Sequence, residues 1–217
     1  MQLVLNIKLR HDATFDNFLA SEENTQLLSA LKKLSGHAVI RSERACGLSH
    51  LLQAACHETA QAIYLPLKEI MPMGPEVFEG LESLNLVCID DVDLLQGQAE
   101  WEEALFHLFN RLTAAQKCLV LGSHVALKMQ LKDLDSRLHA CMQYYLHELD
   151  DEHKQLLLHA EAKRRGFVLP AEVVNYLLRY YPRDMSTQLA LLEKLDLASL
   201  EKKHRVTLPF VKSVLEV

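Results

Sequence analysis

Ser42-Glu43-Arg44-Ala45-Cys46-Gly47-Leu48-Ser49 lies between an apolar run, His37-Ala38-Val39-Ile40-Arg41, and a helical pattern, Ser49-His50-Leu51-Leu52-Gln53-Ala54-Ala55-Cys56. Strand, loop and helix in that order, with the loop closing on a glycine and a hydroxyl residue, is the layout of a phosphate-binding P-loop, G-x-x-x-x-G-K-[ST]. Gly47 and Ser49 keep two of its parts. Ser42 stands at the first glycine and Leu48 at the lysine. Downstream, Leu86-Val87-Cys88-Ile89-Asp90-Asp91 reads as an apolar strand ending in two carboxylates. That is the form of a Walker B segment, whose acidic groups hold Mg²⁺ and orient water. The predicted fold is α/β, nucleotide-binding in layout, with one altered wall.

The alterations have chemical consequences. A lysine at position 48 would meet terminal phosphates as a point charge, and leucine cannot. Ser42 and Ala45 restrict the backbone conformations that glycine would allow to a phosphate nest. The amides of Gly47, Leu48 and Ser49 at a helix N-terminus still attract an anion, and Arg44 offers a replacement charge. Two readings stay open. In one, the loop from Ser42 through Arg44, Cys46, Gly47, Leu48 and Ser49 into His50 holds a nucleotide, with Asp90 and Asp91 beside it and Asp90 as a Mg²⁺ ligand. In the other, the loop is a remnant that starts a helix, and the two aspartates are a turn without metal. His50 and His57 have no third ligand at matching spacing and read as structural.

Along the chain, strand and helix alternate through the first two thirds. Leu27 to Leu34 is helical, and Ala62 to Leu67 is a second strand. Pro75 opens a short helix through Leu81. Ala99 to Leu112 is a helix with Trp101, Leu105, Leu108 and Leu112 on one face, and Lys117 to Ser123 is another strand. Such alternation predicts a mostly parallel sheet with helices on both faces. After Leu149 the pattern is helical only. Asp150 caps a helix to Arg165 that Gly166 ends, Leu169-Pro170 starts another to Tyr181, Asp184 to Leu200 is a third, and Leu208-Pro209 starts a last short one. The expected division is residues 1–10 as an extended N-terminal peptide, 11–149 as the α/β core and 150–217 as a helical lid.

Composition narrows the function classes. The chain has 217 residues, 49% hydrophobic and 24% charged, with a net charge of −6. Binding duplex DNA through its phosphates needs a basic face, which this balance disfavours. Lys163-Arg164-Arg165 and Lys202-Lys203-His204-Arg205 sit at predicted helix ends, where cations complement the dipole. Five cysteines without C-x-x-C spacing exclude a zinc motif and suit a reducing cytosol. The N-terminus does not read as a signal peptide, and no apolar run approaches a membrane span of about 18 residues.

Other segments carry a family likeness. Thr14-Phe15-Asp16-Asn17-Phe18 with Asn24, Trp101 to Leu112, Leu134-Asp135-Ser136-Arg137-Leu138, Gly166 to Pro170 and Leu208 to Lys212 together resemble the DnaA-related AAA+ family of bacterial replication initiators and their regulators. The resemblance covers essentially the whole chain. It implies a P-loop core with a five-stranded parallel sheet followed by a small all-α lid. Because the sequence runs out after the lid, no helix-turn-helix domain and no direct sequence-specific DNA binding are expected.

The regulatory branch of that family implies an activity exerted on a partner. Its members bind the DNA polymerase III β sliding clamp on DNA, meet the ATP-bound DnaA initiator, promote hydrolysis of its ATP and so limit re-initiation. Gln2-Leu3-Val4-Leu5 looks like a clamp-binding peptide, with Gln2, Leu3 and Leu5 as the docking side chains; a first edge strand is the other reading. Arg137 matches an arginine finger that works in a neighbour's site. Gly122-Ser123-His124 stands where relatives carry a polar sensor, with Ser123 as the candidate. Arg183-Asp184-Met185-Ser186-Thr187 resembles a sensor-two segment, with Ser186 at the position of a nucleotide-contacting arginine and Arg183 kept nearby. Relatives hold a nucleoside diphosphate, so ADP or CDP is the implied cofactor, with Mg²⁺, and they pair through nucleotide-side faces, which implies a homodimer. The expected setting is a bacterial cytoplasm, near the nucleoid through the clamp. Losing the charges at positions 48 and 186 makes autonomous ATP hydrolysis a poor expectation. A weak hydrolase and a non-catalytic scaffold remain the alternatives.

Overall fold

The computed structural model describes residues 9–43 and 46–215. They fall into two compact units, one carrying the chain up to Glu43 and Gly47–His147, the other Glu148 onward.

The first unit is built on five strands: β1 (His37–Ser42), β2 (Ala62–Pro66), β3 (Leu86–Asp90), β4 (Cys118–Ser123) and β5 (Met142–Leu146). They lie in the order β2-β3-β4-β1-β5, and every pair is parallel. Parallel neighbours require crossovers, supplied here by α2 (Leu48–Glu58), α3 (Leu67–Ile70), α4 (Ala99–Ala114) and α5 (Lys132–Ala140), with α1 (Thr25–Lys32) leading in. Alternate residues of each strand serve opposite faces. Val39, Leu65, Val87, Ile89, Leu119 and Leu121 join Trp101, Leu105, Leu108 and Leu112 of α4 in one buried core. Asp90 points to the other face, with Cys88 and with Leu51 and Leu52 of α2, all buried.

Several expectations shift by a few residues. Leu67 begins α3 rather than ending β2, because Pro66 has no N–H to continue the ladder. The segment from Pro75 forms two 3-10 turns, Pro75–Phe78 and Leu81–Ser83, separated by Gly80 at φ 76°. β3 stops at Asp90, and Asp91 follows in the left-handed region at φ 57°. The fifth strand, β5, is an edge strand whose first residues are exposed.

The second unit contains α6 (Asp151–Arg164), α7 (Ala171–Tyr180), α8 (Met185–Lys202) and α9 (Leu208–Leu215). Asp150 and Asp184 cap α6 and α8, each accepting a backbone N–H two to three residues into the helix. Leu158, Val173, Leu177, Leu192, Leu195 and Val211, all fully buried, form its core. Gln188, also buried, donates to the carbonyls of Pro182 and Leu177, which fixes the turn between α7 and α8.

Candidate functional site

Gly47 carries the chain from β1 into α2. Its φ of 93° is open to glycine and strained for other residues, and a Cβ there would lie 3.0 Å from the Phe18 ring. The lead-in segment is thus packed on the P-loop glycine. Two histidines tie it to α2: His50 Nε2 is 2.8 Å from the Thr14 carbonyl and His57 Nε2 is 3.0 Å from that of Arg10. No side chain caps α2 among the described residues. Arg44 lies outside the described residues, as do Gln2, Leu3 and Leu5. Cys46 is half-buried.

Leu48 is not merely a missing charge. It is 2% exposed and belongs to the core. A Cβ on Gly122 of β4 would sit 2.8 Å from Leu52 Cδ1, 3.0 Å from Asp90 Oδ1 and 3.1 Å from Leu48 Cδ2. The glycine makes room for both leucines beside the carboxylate.

Asp90 is 1% exposed, and both of its oxygens accept hydrogen bonds. Its Oδ2 accepts from the Tyr64 hydroxyl at 2.7 Å, and its Oδ1 accepts the Asp91 N–H at 3.0 Å. Burial, then the charge of Asp90, drives the phenol's pKa far upward, so Tyr64 is a permanent donor. The Ser49 hydroxyl, near the same phenol, opposes part of that rise.

Asp91 faces Lys68 of α3, whose ammonium lies 2.6 Å from Asp91 Oδ1. His124 Nε2 stands 3.5 Å from the same oxygen, and His124 Nδ1 is 3.4 Å from Ser42 Oγ. Ligand atoms of Asp90, Asp91 and His124 come within 4.8 Å of one another. Ser123 is buried, its hydroxyl donating to the Val125 carbonyl at 2.7 Å. The ring that reaches β1 and the aspartates is that of its neighbour, His124.

Arg137 projects from α5 at the surface. Its guanidinium lies over Phe106, 5.1 Å from the ring centroid, and 5.8 Å from that of Phe109, both on α4. No carboxylate pairs with it among the described residues, so it is not an ordinary surface salt bridge. The base beneath it is fixed. The buried Glu102 accepts the N–H groups of Gly97 and Leu131 at 2.8 and 2.7 Å, and Asp135 accepts that of Met129 at 2.8 Å. In the helical unit, Arg183 donates to the Leu178 carbonyl at 3.0 Å and meets Asp151 at 2.9 Å. Ser186 bonds the capping Asp184.

A cavity of about 340 Å³ opens elsewhere in the first unit, lined by Arg41, Leu138, His139, Tyr144 and Tyr145 among others. None of the candidate nucleotide residues borders it.

Tyr64, Lys68 and His124 are the site residues that the sequence does not single out. An aromatic hydroxyl inside an aliphatic strand is a usable signal for Tyr64, since a buried phenol needs a partner. Lys68 leaves no such trace.

Comparisons with known proteins bear on the fold. The family model described as "Hda, lid domain" matches residues 151–215, and the "Bacterial DnaA ATPase domain" matches residues 75–148. Domain III of the replication initiation protein DnaA from Thermotoga maritima is similar over 97% of this chain and 98% of that one, at a TM-score of 0.81 and 22% identity. DnaA from Aquifex aeolicus, solved with AMPPCP bound, is similar over 90% of this chain and 68% of that one, at 0.70 and 25%. The Holliday junction branch migration motor RuvB of Thermotoga maritima is similar over 94% and 71%, at 0.66 and 14%. No helix among the described residues is long and apolar enough to cross a membrane.

Proposed function

The chain is a DnaA-related AAA+ protein with a lid of the Hda type, and from that premise we propose that it is a negative regulator of replication initiation, which stimulates hydrolysis of DnaA-bound ATP by placing Arg137 beside the initiator's γ-phosphate. The observation that carries the reading is the contrast between two positions. Leu48, where the chain's own phosphate cation would stand, is core. Arg137, whose work would be in trans, is exposed, unpaired with any carboxylate among the described residues and held over two rings. A guanidinium stabilises the charge that develops on a transferring phosphoryl group, and such fingers contribute roughly 10³–10⁵ in rate.

In this reading the clamp is engaged through Gln2, Leu3 and Leu5, and ADP or CDP is taken at the amides following Gly47. Such a diphosphate would be a structural ligand. Pairing through nucleotide-side faces, as in the family, suggests a homodimer. The test is hydrolysis of DnaA-bound ATP in the presence of clamp-loaded DNA, with the chain added. Stimulation that depends on the clamp supports the reading. Turnover of ATP by the isolated chain, lost in Asp90→Asn, would replace it with the autonomous hydrolase. Deleting Met1 to Ile7 is expected to abolish retention on clamp-loaded DNA, and full retention would remove the clamp assignment.

A further inference from the structure

We infer that Lys68 and Tyr64 hold the Asp90–Asp91 pair in the place of a divalent cation, so that the Walker B carboxylates of this chain take no Mg²⁺. Mg²⁺ demands a near-octahedral oxygen shell at about 2.0–2.1 Å and keeps several of its waters. Both oxygens of Asp90 already hold a donor from the chain. Oδ2 is bonded to the Tyr64 hydroxyl and Oδ1 to the Asp91 amide, and the methyls of Leu48 and Leu52 border with Oδ1 the space that a Cβ on Gly122 would fill. Its 1% exposure leaves no place for the waters.

Asp91 is also buried, its side chain 10% exposed, and its Oδ1 already faces an ammonium at 2.6 Å. That contact is charge-assisted, and the cation is part of the chain. His124 approaches the same oxygen from β4 at 3.5 Å. Two carboxylates side by side need compensating positive charge. Here Lys68 supplies it from α3, and Tyr64 supplies a donor from β2. The sheet register explains how they arrive: Tyr64 pairs with Cys88 and Pro66 with Asp90, so Tyr64 is the same-face diagonal neighbour of Asp90 and α3 starts level with it.

The Lys68 side chain is 60% exposed, so replacing it leaves the core intact and isolates the claim. The full-length chain, freed of metal, is titrated with Mn²⁺ and followed by the paramagnetic signal of the free ion, with Mg²⁺ competition. The parent protein is expected to leave Mn²⁺ free at millimolar concentration. Lys68→Met is expected to bind it on the order of 10-fold or more tightly, since a unit positive charge beside the site is gone. Lys68→Arg, which keeps the cation, is expected to stay blind to Mn²⁺, and Asp91→Asn added to Lys68→Met is expected to abolish the uptake. Binding by the parent that is lost in Asp90→Asn overturns the inference, as does a Lys68→Met protein that binds no better than the parent. Neither result touches the assignment of Arg137, which is read from the partner's ATP.

Discussion

The Tyr64 hydroxyl donates to Asp90 Oδ2 across 2.7 Å, in a site where the carboxylate is 1% exposed. Removing that donor leaves a buried charged oxygen unsatisfied, which costs about 1.5–3 kcal/mol when the partner is ionised. Tyr64→Phe is expected to lower the stability of the core unit by that amount, with an unchanged slope in urea unfolding. A Tyr64→Phe protein as stable as the parent would mean that Asp90 is satisfied without the phenol.

Leu48 behaves as a core residue, so restoring the P-loop consensus does not restore a P-loop. Leu48→Ala is expected to cost about 2–5 kcal/mol, the range for emptying a buried leucine site. Leu48→Lys is expected to cost at least as much, because its ammonium would have to leave the pocket beside Gly122 or be buried there. Denaturant unfolding measures both. A Leu48→Lys protein of parental stability that hydrolyses ATP would show that the loop is only one residue from a working site.

The helical unit is predicted to be acid-sensitive. The Ser186 hydroxyl and the Thr187 amide hold Asp184 below its ordinary 3.8, the His153 amide does the same for Asp150, and Arg164 then Arg165 hold Glu161 below 4.5. All three folded values are depressed. The stability they contribute is therefore complete above those ordinary values and is lost as pH falls through the lower folded ones. Unfolding midpoints followed from neutral pH down to about pH 3 should decline in that window. Asp184→Ala should remove about 1 kcal/mol at neutral pH, the usual cost of losing a cap, and should flatten the acid limb. An acid limb identical to the parent's would exclude Asp184 as a contributor.

Most of the architecture was legible because its signals are local. Aliphatic runs mark β1, β3 and β4, and Asp150 and Asp184 announce α6 and α8 by a cap that acts within three residues. β5 was not located from its residues, since Met142 and Gln143 are exposed on an edge strand and Tyr144 and Tyr145 only half-buried. The candidate site was half legible. Gly47, Ser49, Asp90 and Asp91 lie in a recognisable motif. Tyr64 and Lys68 reach the aspartates only because β2 neighbours β3 in a particular register, and His124 reaches them because a turn of Ser123 onto Val125 swings the next ring inward. Those are through-space facts with no counterpart in sequence spacing.

The trans role of Arg137 is tested most directly by single-turnover hydrolysis of DnaA-bound ATP on clamp-loaded DNA, comparing the parent chain with Arg137→Ala. Arg137 is exposed and pairs with no carboxylate among the described residues, so the substitution is expected to leave folding and clamp retention unchanged. The account predicts that stimulation falls to the rate of DnaA alone, a loss of roughly 10³ or more if the finger has the usual weight. Stimulation by Arg137→Ala equal to that of the parent would contradict it.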